Sequence, residues 1–388
     1  MNLKNKIISL LYNSYEKVTR HYGINVELKK FDDIRRKRIY EKIVLSDTQK
    51  HEIDNLYVNN LGRKIPYTWH RHYTAFTGSF DANYFPEFLF IPEFEHFMNY
   101  KIEFAKVLED KNFLPLIAKS VRIKMPRTIL SCTSGIFRDE NLSICNLSDT
   151  VNILNNKGTL FAKPSINSCS GQGCRKIKII EGIDEYSKLP LNELLDFMGK
   201  NFVIQEEIKC HSSIFDIYPR SVNTFRIVTY RWKNEIRHMP IIMRIGQGGS
   251  YLDNAHAGGM FIAVEDEGTL HKTAFTEFKN KYDCHPDINF IFEGYRIQGT
   301  SKVIEAAIKI HSAIPQIGCV NWDFTLDQNN DPILIEANVL GGSVWLIEMA
   351  HGKGAFGQDT AEVLRWIKKM ESLPIEKWDQ YAFGNNYN

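Results

Sequence analysis

Asp323, Glu336 and Asn338 are spaced as a hard cation requires. They lie in "NWDFTLDQNNDPILIEANVLGG", two apolar runs separated by Gln, Asn, Asp and Pro, the residues that make turns. In "NWDFTLD", Trp322, Phe324 and Leu326 fall on one face of a strand, and Asn321, Asp323 and Thr325 on the other. A hairpin symmetric about Asn329 and Asn330 sets Asp327 against Pro332, Asp323 against Glu336 and Asn321 against Asn338. Directly opposed side chains stand about 5 Å apart at Cβ. Two facing carboxylates repel, and a divalent cation would offset that. Oxygen and amide ligands without sulfur or imidazole suit Mg2+, which takes few carboxylates and completes its shell with phosphate oxygens.

Three other stretches could bind the anion such a cation accompanies. In "GTLFAKPSINSCSGQGCRKIKII" an apolar strand ends at Lys163, a loop follows, and a second strand runs from Arg175 to Ile180. Neither GxxxxGK[ST] nor GxGxxG opening a helix is present. Gly171 and Gly173 can still bring backbone N–H groups close to phosphate, beside the charge of Lys163; a plain mobile hairpin explains the loop equally well. "NFVIQEEIKCH" is a strand turning acidic at Gln205, Glu206 and Glu207 before Ile208. Such a segment can hold an adenine ring through one backbone carbonyl and one N–H, or end a strand in solvated glutamates. Arg226 and Arg244 lie in apolar strands around the "WKNE" turn, where a guanidinium is costly unless it meets an anion. A three-residue turn puts both on one face and a two-residue turn separates them. Asn223 and the "DNAHAGG" loop, with Asp253 and Asn254, favour an anion site over separate salt bridges.

The whole chain bounds these readings. Its 388 residues suffice for two or three domains, and a net charge of +2 points to no polyanionic partner, so nucleic-acid binding is not expected. The opening "MNLKNKIISLLYNSYEKVTRHYG" reads as an amphipathic helix rather than a secretion signal, and no run of about 20 apolar residues is present. Seven cysteines, odd in number and without CxxC, with Cys169 and Cys174 the closest pair, point to reduced thiols and a cytoplasmic location. Residues 1 to about 100 look helical and aromatic. Trp69, Phe76, Phe85 and Phe94 are expected in a core or an interdomain cleft rather than a base-stacking platform, and His70-Arg71-His72 is too short a run to argue for a metal. "FAKVLEDKNFLPLIAKSVRIKMPRTIL" reads as helix, turn and strand; strands dominate from residue 159. "DTAEVLRWIKKM" closes as a helix with periodic Val363, Leu364, Trp366 and Ile367.

Taken in order, lysine, glycine loop, hinge strand, arginine strands and metal hairpin resemble an ATP-grasp enzyme, nearest the sugar-transfer associated ATP-grasp branch. The resemblance spans about residues 105 to 355, through "EDKNFLPLIAK", "FAKPSINSCSGQG", "VIQEEI", "SVNTFRIVTY", "GGSYLDNAHAGG" and "NWDFTLDQNNDPILIEAN". It implies an α+β ATP-grasp fold: a mainly helical region 1–104, a small lobe 105–208 and a large lobe 209–388 that grip ATP between them. Lys111 and Lys163 match the nucleotide-binding lysines, and Ser170, Gly171 and Gly173 the phosphate loop. Glu206 and Ile208, beside Gln205, match the adenine hinge; His211 or Asp216 would take the ribose. Asp323, Glu336 and Asn338 match ligands of two Mg2+ ions, Arg226 and Arg244 the groups that steady a phosphoryl group or acyl-phosphate, and Asn223 and Asn254 would face substrate. The implied activity is carboxylate–amine ligation through an acyl-phosphate, on small molecules such as a sugar acid for surface polysaccharide, with the loop at 165–173 closing over the site. The alternatives are a small-molecule or sugar kinase and a nucleotide-binding regulator of glycan assembly.

Overall fold

Apolar residues occupy both parities of segment 224–232: Phe225 and Ile227 on one face, Val228, Tyr230 and Trp232 on the other, all buried. A strand so composed must be covered on both sides. The computed structural model, which describes residues 3–166 and 171–386, places it inside the larger of two antiparallel sheets.

The chain first makes β1 (Thr128–Thr133), β2 (Ile136–Asp139), β3 (Ile144–Cys145), β4 (Leu160–Pro164), β5 (Arg175–Ile177), a detached hairpin of β6 (Ile179–Ile180) and β7 (Ile183–Asp184), and β8 (Asn201–Glu206). The smaller sheet runs β3-β2-β1-β8-β4-β5. There follow β9 (Thr224–Trp232), β10 (Glu235–His238), β11 (Ile241–Ile245), β12 (Met260–Val264), β13 (Ala274–Phe275), β14 (Lys281–Tyr282), β15 (Cys319–Leu326) and β16 (Pro332–Asn338). The larger sheet runs β14-β13-β12-β11-β9-β15-β16, with β10 also paired to β9.

Helices cover both faces of the larger sheet. On one, Phe225, Ile227 and Trp322 pack with Val303 and Ile310 of the helix Thr300–Ser312 and with Ala105, Leu108, Leu114 and Ala118. The segment around residues 105–118, expected to open the small lobe, thus packs on the larger sheet. The smaller sheet has its own core from Ile129 to Ile204, closed by the helices Leu147–Leu154 and Leu191–Met198. On the other face of the larger sheet, Val228, Tyr230 and Trp232 meet the N-terminal region and the helix Thr360–Glu371, which buries Val363, Leu364, Trp366 and Ile367 as its period requires.

The aromatic stretch is core. Trp69, Phe76, Phe85 and Phe94 are buried, and ring contacts such as Phe85–Phe356 and Phe94–Trp366 tie the region to the chain's end. His72 lies against Phe31 and Phe76, and His70 against Tyr57 and Tyr84. Burial lowers their pKa values to about 3 and about 4, so both are neutral packing groups. The six described cysteines are all free thiols, and among the described residues no helix is long and apolar enough to cross a membrane.

Candidate active site

Two one-residue slips in strand register put the charged groups on one face. At the tip of the β15–β16 hairpin, Leu326 pairs with Pro332 and Phe324 with Leu334, so Asp327 does not face Pro332 as a symmetric hairpin requires. A bulge at Ile335 takes up the extra residue and restores Asp323 opposite Glu336 and Asn321 opposite Asn338. The turn after β9 has two residues, pairing Trp232 with Glu235 and Thr229 with His238, which alone would separate the arginines. Beyond Met239–Pro240 the register has moved by one, with Ile242 facing Arg226 and Arg244 facing Thr224. Proline, without an N–H, is at home in such an irregularity. Arg226 and Arg244 therefore share a face, and Asp323 flanks Arg226 on its other side.

Asp323 is the electrostatic centre. Arg226 Nε donates to its Oδ1 at 2.6 Å and Arg226 Nη2 to Oδ2 at 3.1 Å; Arg244 Nη2 lies 3.1 Å from Oδ2. Burial alone would push this carboxyl up, but Arg226 and Arg244 outweigh it and hold the pKa below the usual aspartate range. Glu336, more exposed, pairs with Lys111 Nζ at 2.9 Å. The facing carboxylates are thus each offset by a cationic side chain. Asn338 Nδ2 donates to Asp323 Oδ2 at 3.3 Å, which leaves its Oδ1 for another partner. Arg244 is further held by Thr224 Oγ1 at 2.8 and 3.0 Å and Asn254 Oδ1 at 3.1 Å, with Asp253 at 3.6 Å. Burial raises the Asp253 carboxyl, and Arg244 opposes that shift.

These groups line a cleft of about 330 Å³ between the sheets, with Lys163, Gly171, Cys174, Gln205, Glu206 and Ile208 on the side of the smaller one. Lys163 is buried and makes no ion pair with a described residue; burial first, and then the Lys111 charge, lowers its pKa to about 8. The Glu336 charge opposes that shift from beyond ion-pair distance. Gly171, at φ +76°, sits against Leu252 and Asn254, so a side chain there would be strained and crowded. Gln205 shares the cleft face with Phe161 and Lys163, and its Nε2 donates to Thr128 Oγ1.

Not every expected residue reaches this cleft. Asn223 is fully buried: Nδ2 donates to the Ile214 and Tyr218 carbonyls, and Oδ1 accepts from Ser221 Oγ. It braces a loop rather than facing a substrate. His211 lines an adjoining cavity of about 600 Å³ with Glu207 and Lys209, and its Nδ1 caps the helix Ser212–Phe215 through Ser213. Asp216 is exposed and lines neither cavity. Gly173 lies against Pro164, and Ser170 falls outside the described residues. One further ligand cluster, Glu265, His271 and His351, lies outside the cleft.

The sequence reading missed the acids that shape the cleft's far wall. Glu109 Oε1 accepts the backbone N–H of Val339 and Leu340; Glu95 accepts those of Gly341 and Gly342, both at 2.7 Å; Glu87 Oε1 accepts those of Val344 and Trp345 and the Ser343 hydroxyl. Three carboxylates thus hold the loop running from Asn338 into the helix Trp345–His351. Gly342 must lack a side chain, since a Cβ would collide with Asn321 and Glu95. Burial raises Glu87 to about 7 and Glu95 well above the ordinary range, the latter against the pull of the Gly342 and Gly341 N–H groups. Acids inside the aromatic run "PEFLFIPEFEHF" were the available signal. Glu95→Gln replaces one acceptor oxygen with a donor facing a buried N–H. The expected cost is about 1–3 kcal/mol, read as a lower urea midpoint with an unchanged slope.

No curated protein matches the chain in sequence. Solved structures give distant matches. N5-carboxyaminoimidazole synthetase from Staphylococcus aureus, complexed with ADP, matches at 14% identity over 60% of this chain and 45% of its own, with a TM-score of 0.36. D-alanine–D-alanine ligase from Bacillus anthracis matches at 14% identity over 69% and 70%, with a TM-score of 0.38, and L-amino acid ligase from Bacillus licheniformis at 13% over 66% and 48%, also 0.38. The chain thus spans less than half the length of the synthetase. The sugar-transfer associated ATP-grasp family matches residues 90–363, which takes in Glu95 and Glu109 of the far wall, both sheets and every group of the cleft. Sharing that much of its length with one family, the chain belongs to the sugar-transfer associated ATP-grasp proteins and has their ATP-grasp fold.

Proposed function

We propose that the cleft binds ATP with magnesium and that the protein is an ADP-forming carboxylate–amine ligase. The observation that carries this is the buried Lys163, without an ion pair to a described residue, in one cleft with Glu336 and Asn338, a set of cation and hard oxygen ligands that a metal–phosphate fits. Glu336, Asn338 Oδ1 and Asp323 would hold magnesium, which when bound neutralises charge on the triphosphate. Lys163 and Lys111 would take phosphate oxygens, with N–H groups around Gly171 closing over them. The Glu206 N–H already donates to the Arg127 carbonyl at 3.0 Å, so the adenine hinge would use the Ile208 N–H and the Glu206 carbonyl.

Arg226 and Arg244, fixed by Asp323, would orient the substrate carboxylate and stabilise charge on the transferring phosphoryl group. A carboxylate oxygen attacks the γ-phosphorus as its bond to the β-phosphate oxygen breaks, giving an acyl-phosphate and ADP. An amine then attacks the acyl carbon, phosphate leaves, and the nitrogen gives up a proton. A sugar acid coupled to an amine for a surface glycan is the substrate pair in keeping with the family's description. A screen of sugar acids and amines for ADP and free phosphate tests the proposal beside Glu336→Gln. Ligation predicts equimolar ADP and phosphate, dependent on both substrates and lost in the variant. Phosphate retained on a hydroxyl acceptor would make it a kinase instead.

A further inference from the structure

The helix Leu3–Lys29 is mounted the wrong way round for a helix of a water-soluble domain. From Ile7 to Arg20 the inward residues are polar: Ser9 and Asn13 bond Glu376, Asn13 Oδ1 accepts the Ile375 N–H, and Arg20 pairs with Glu16, Glu93 and Glu371. Much of its outward face is apolar, interrupted by Ser14, Lys17, Thr19 and His21. Leu11, Tyr15, Val18 and Tyr22 are 65–72% exposed, and Ile8 and Tyr12 flank them. A surface helix ordinarily shows the opposite arrangement. Only near its C-terminus, at Ile24 and Leu28, does the helix join the core.

We propose that this face rests on an anionic lipid surface. The charges decide between lipid and a second copy. The helix's two acids, Glu16 and Glu27, both turn inward, whereas Lys17, His21 and Lys29 are exposed. A second copy would bring basic groups together with no outward acid to pair them, whereas an anionic headgroup layer complements them. Tyr12 and Leu10 also widen the apolar face beyond the narrow seam of a coiled coil. Tyrosines with an apolar body and a polar tip suit the headgroup boundary. The helix would lie in the interface plane with its apolar face among the upper acyl chains, anchoring the enzyme without crossing the bilayer. The proposal stands apart from the catalytic reading.

Co-sedimentation of the full chain with phosphatidylcholine vesicles, with and without phosphatidylglycerol, tests it. Binding is expected only with the anionic lipid and should weaken as salt rises. Leu11→Asp with Tyr15→Asp should cut partitioning more than about tenfold without lowering the melting temperature, since both side chains are exposed. Lys17→Glu, a milder change, should weaken binding at low salt more than at high salt. Failure of the wild type to bind anionic vesicles would overturn the proposal. So would a dimer in sedimentation velocity that Leu11→Asp converts to monomer, or vesicle binding that ignores Leu11→Asp.

Discussion

Asp323→Asn should lower the unfolding free energy by about 3–5 kcal/mol and abolish nucleotide turnover. The aspartate is buried beneath two guanidinium groups, Arg226 at 2.6 Å and Arg244 at 3.1 Å. Removing its charge leaves Arg244 with Asp253 at 3.6 Å and Arg226 without an ion-pair partner among the described residues. Because the folded-state pKa of Asp323 lies below its unfolded value, its contribution is present above about pH 4 and is lost as pH falls through the folded value. The gap between wild type and variant in urea unfolding should therefore be widest near neutral pH and narrow in acid. An unchanged midpoint at neutral pH would show that the arginines do not depend on Asp323.

Lys163→Met should move stability and function in opposite directions. Without ligand, the lysine is buried beside Lys111, and its pKa of about 8 records a charge that folding disfavours. The folded value lies below the unfolded one, so the penalty is present in full below pH 8 and is relieved as pH rises toward the ordinary lysine range. Methionine keeps the volume and removes the charge, so the free protein should melt at the same temperature or higher. MgATP binding should weaken by about 2–5 kcal/mol, since the phosphate would lose a buried partner. In the wild type, nucleotide affinity should fall as pH passes 8, and in the variant that dependence should vanish. Calorimetric titration across that range reads both effects; equal affinities would remove Lys163 from the phosphate site.

The fold and the composition of the site were legible where residue type alone sufficed. Alternation in "NWDFTLD" gave β15, the 3.6-residue period gave the helix Thr360–Glu371, and the acids and amides gave Asp323, Glu336 and Asn338. Sidedness was harder, because it rests on single residues of register. The symmetric hairpin gave the correct pairing of Asp323 with Glu336 while misplacing the tip, and the bulge at Ile335 accounts for both results. The sequence left the turn before β10 open between two and three residues; it has two, which alone would separate the arginines, and the slip at Met239–Pro240 reunites them. Asn223 was misread because a buried amide bracing a loop and an amide facing a ligand have the same sequence signature. Glu87, Glu95 and Glu109 lie over 200 residues from the loop they hold, and no local pattern carries that distance.

The proposal that the cleft is a metal–nucleotide site is tested most directly by diffraction from crystals grown with Mn2+ and a non-hydrolysable ATP analogue. The anomalous signal should fall within coordination distance, near the 2.0–2.1 Å that magnesium adopts or about a tenth of an ångström longer, of Glu336 and Asn338 Oδ1, with the phosphates against Lys163. A manganese peak at Glu265, His271 and His351 instead, or nucleotide bound away from Lys163, would contradict it.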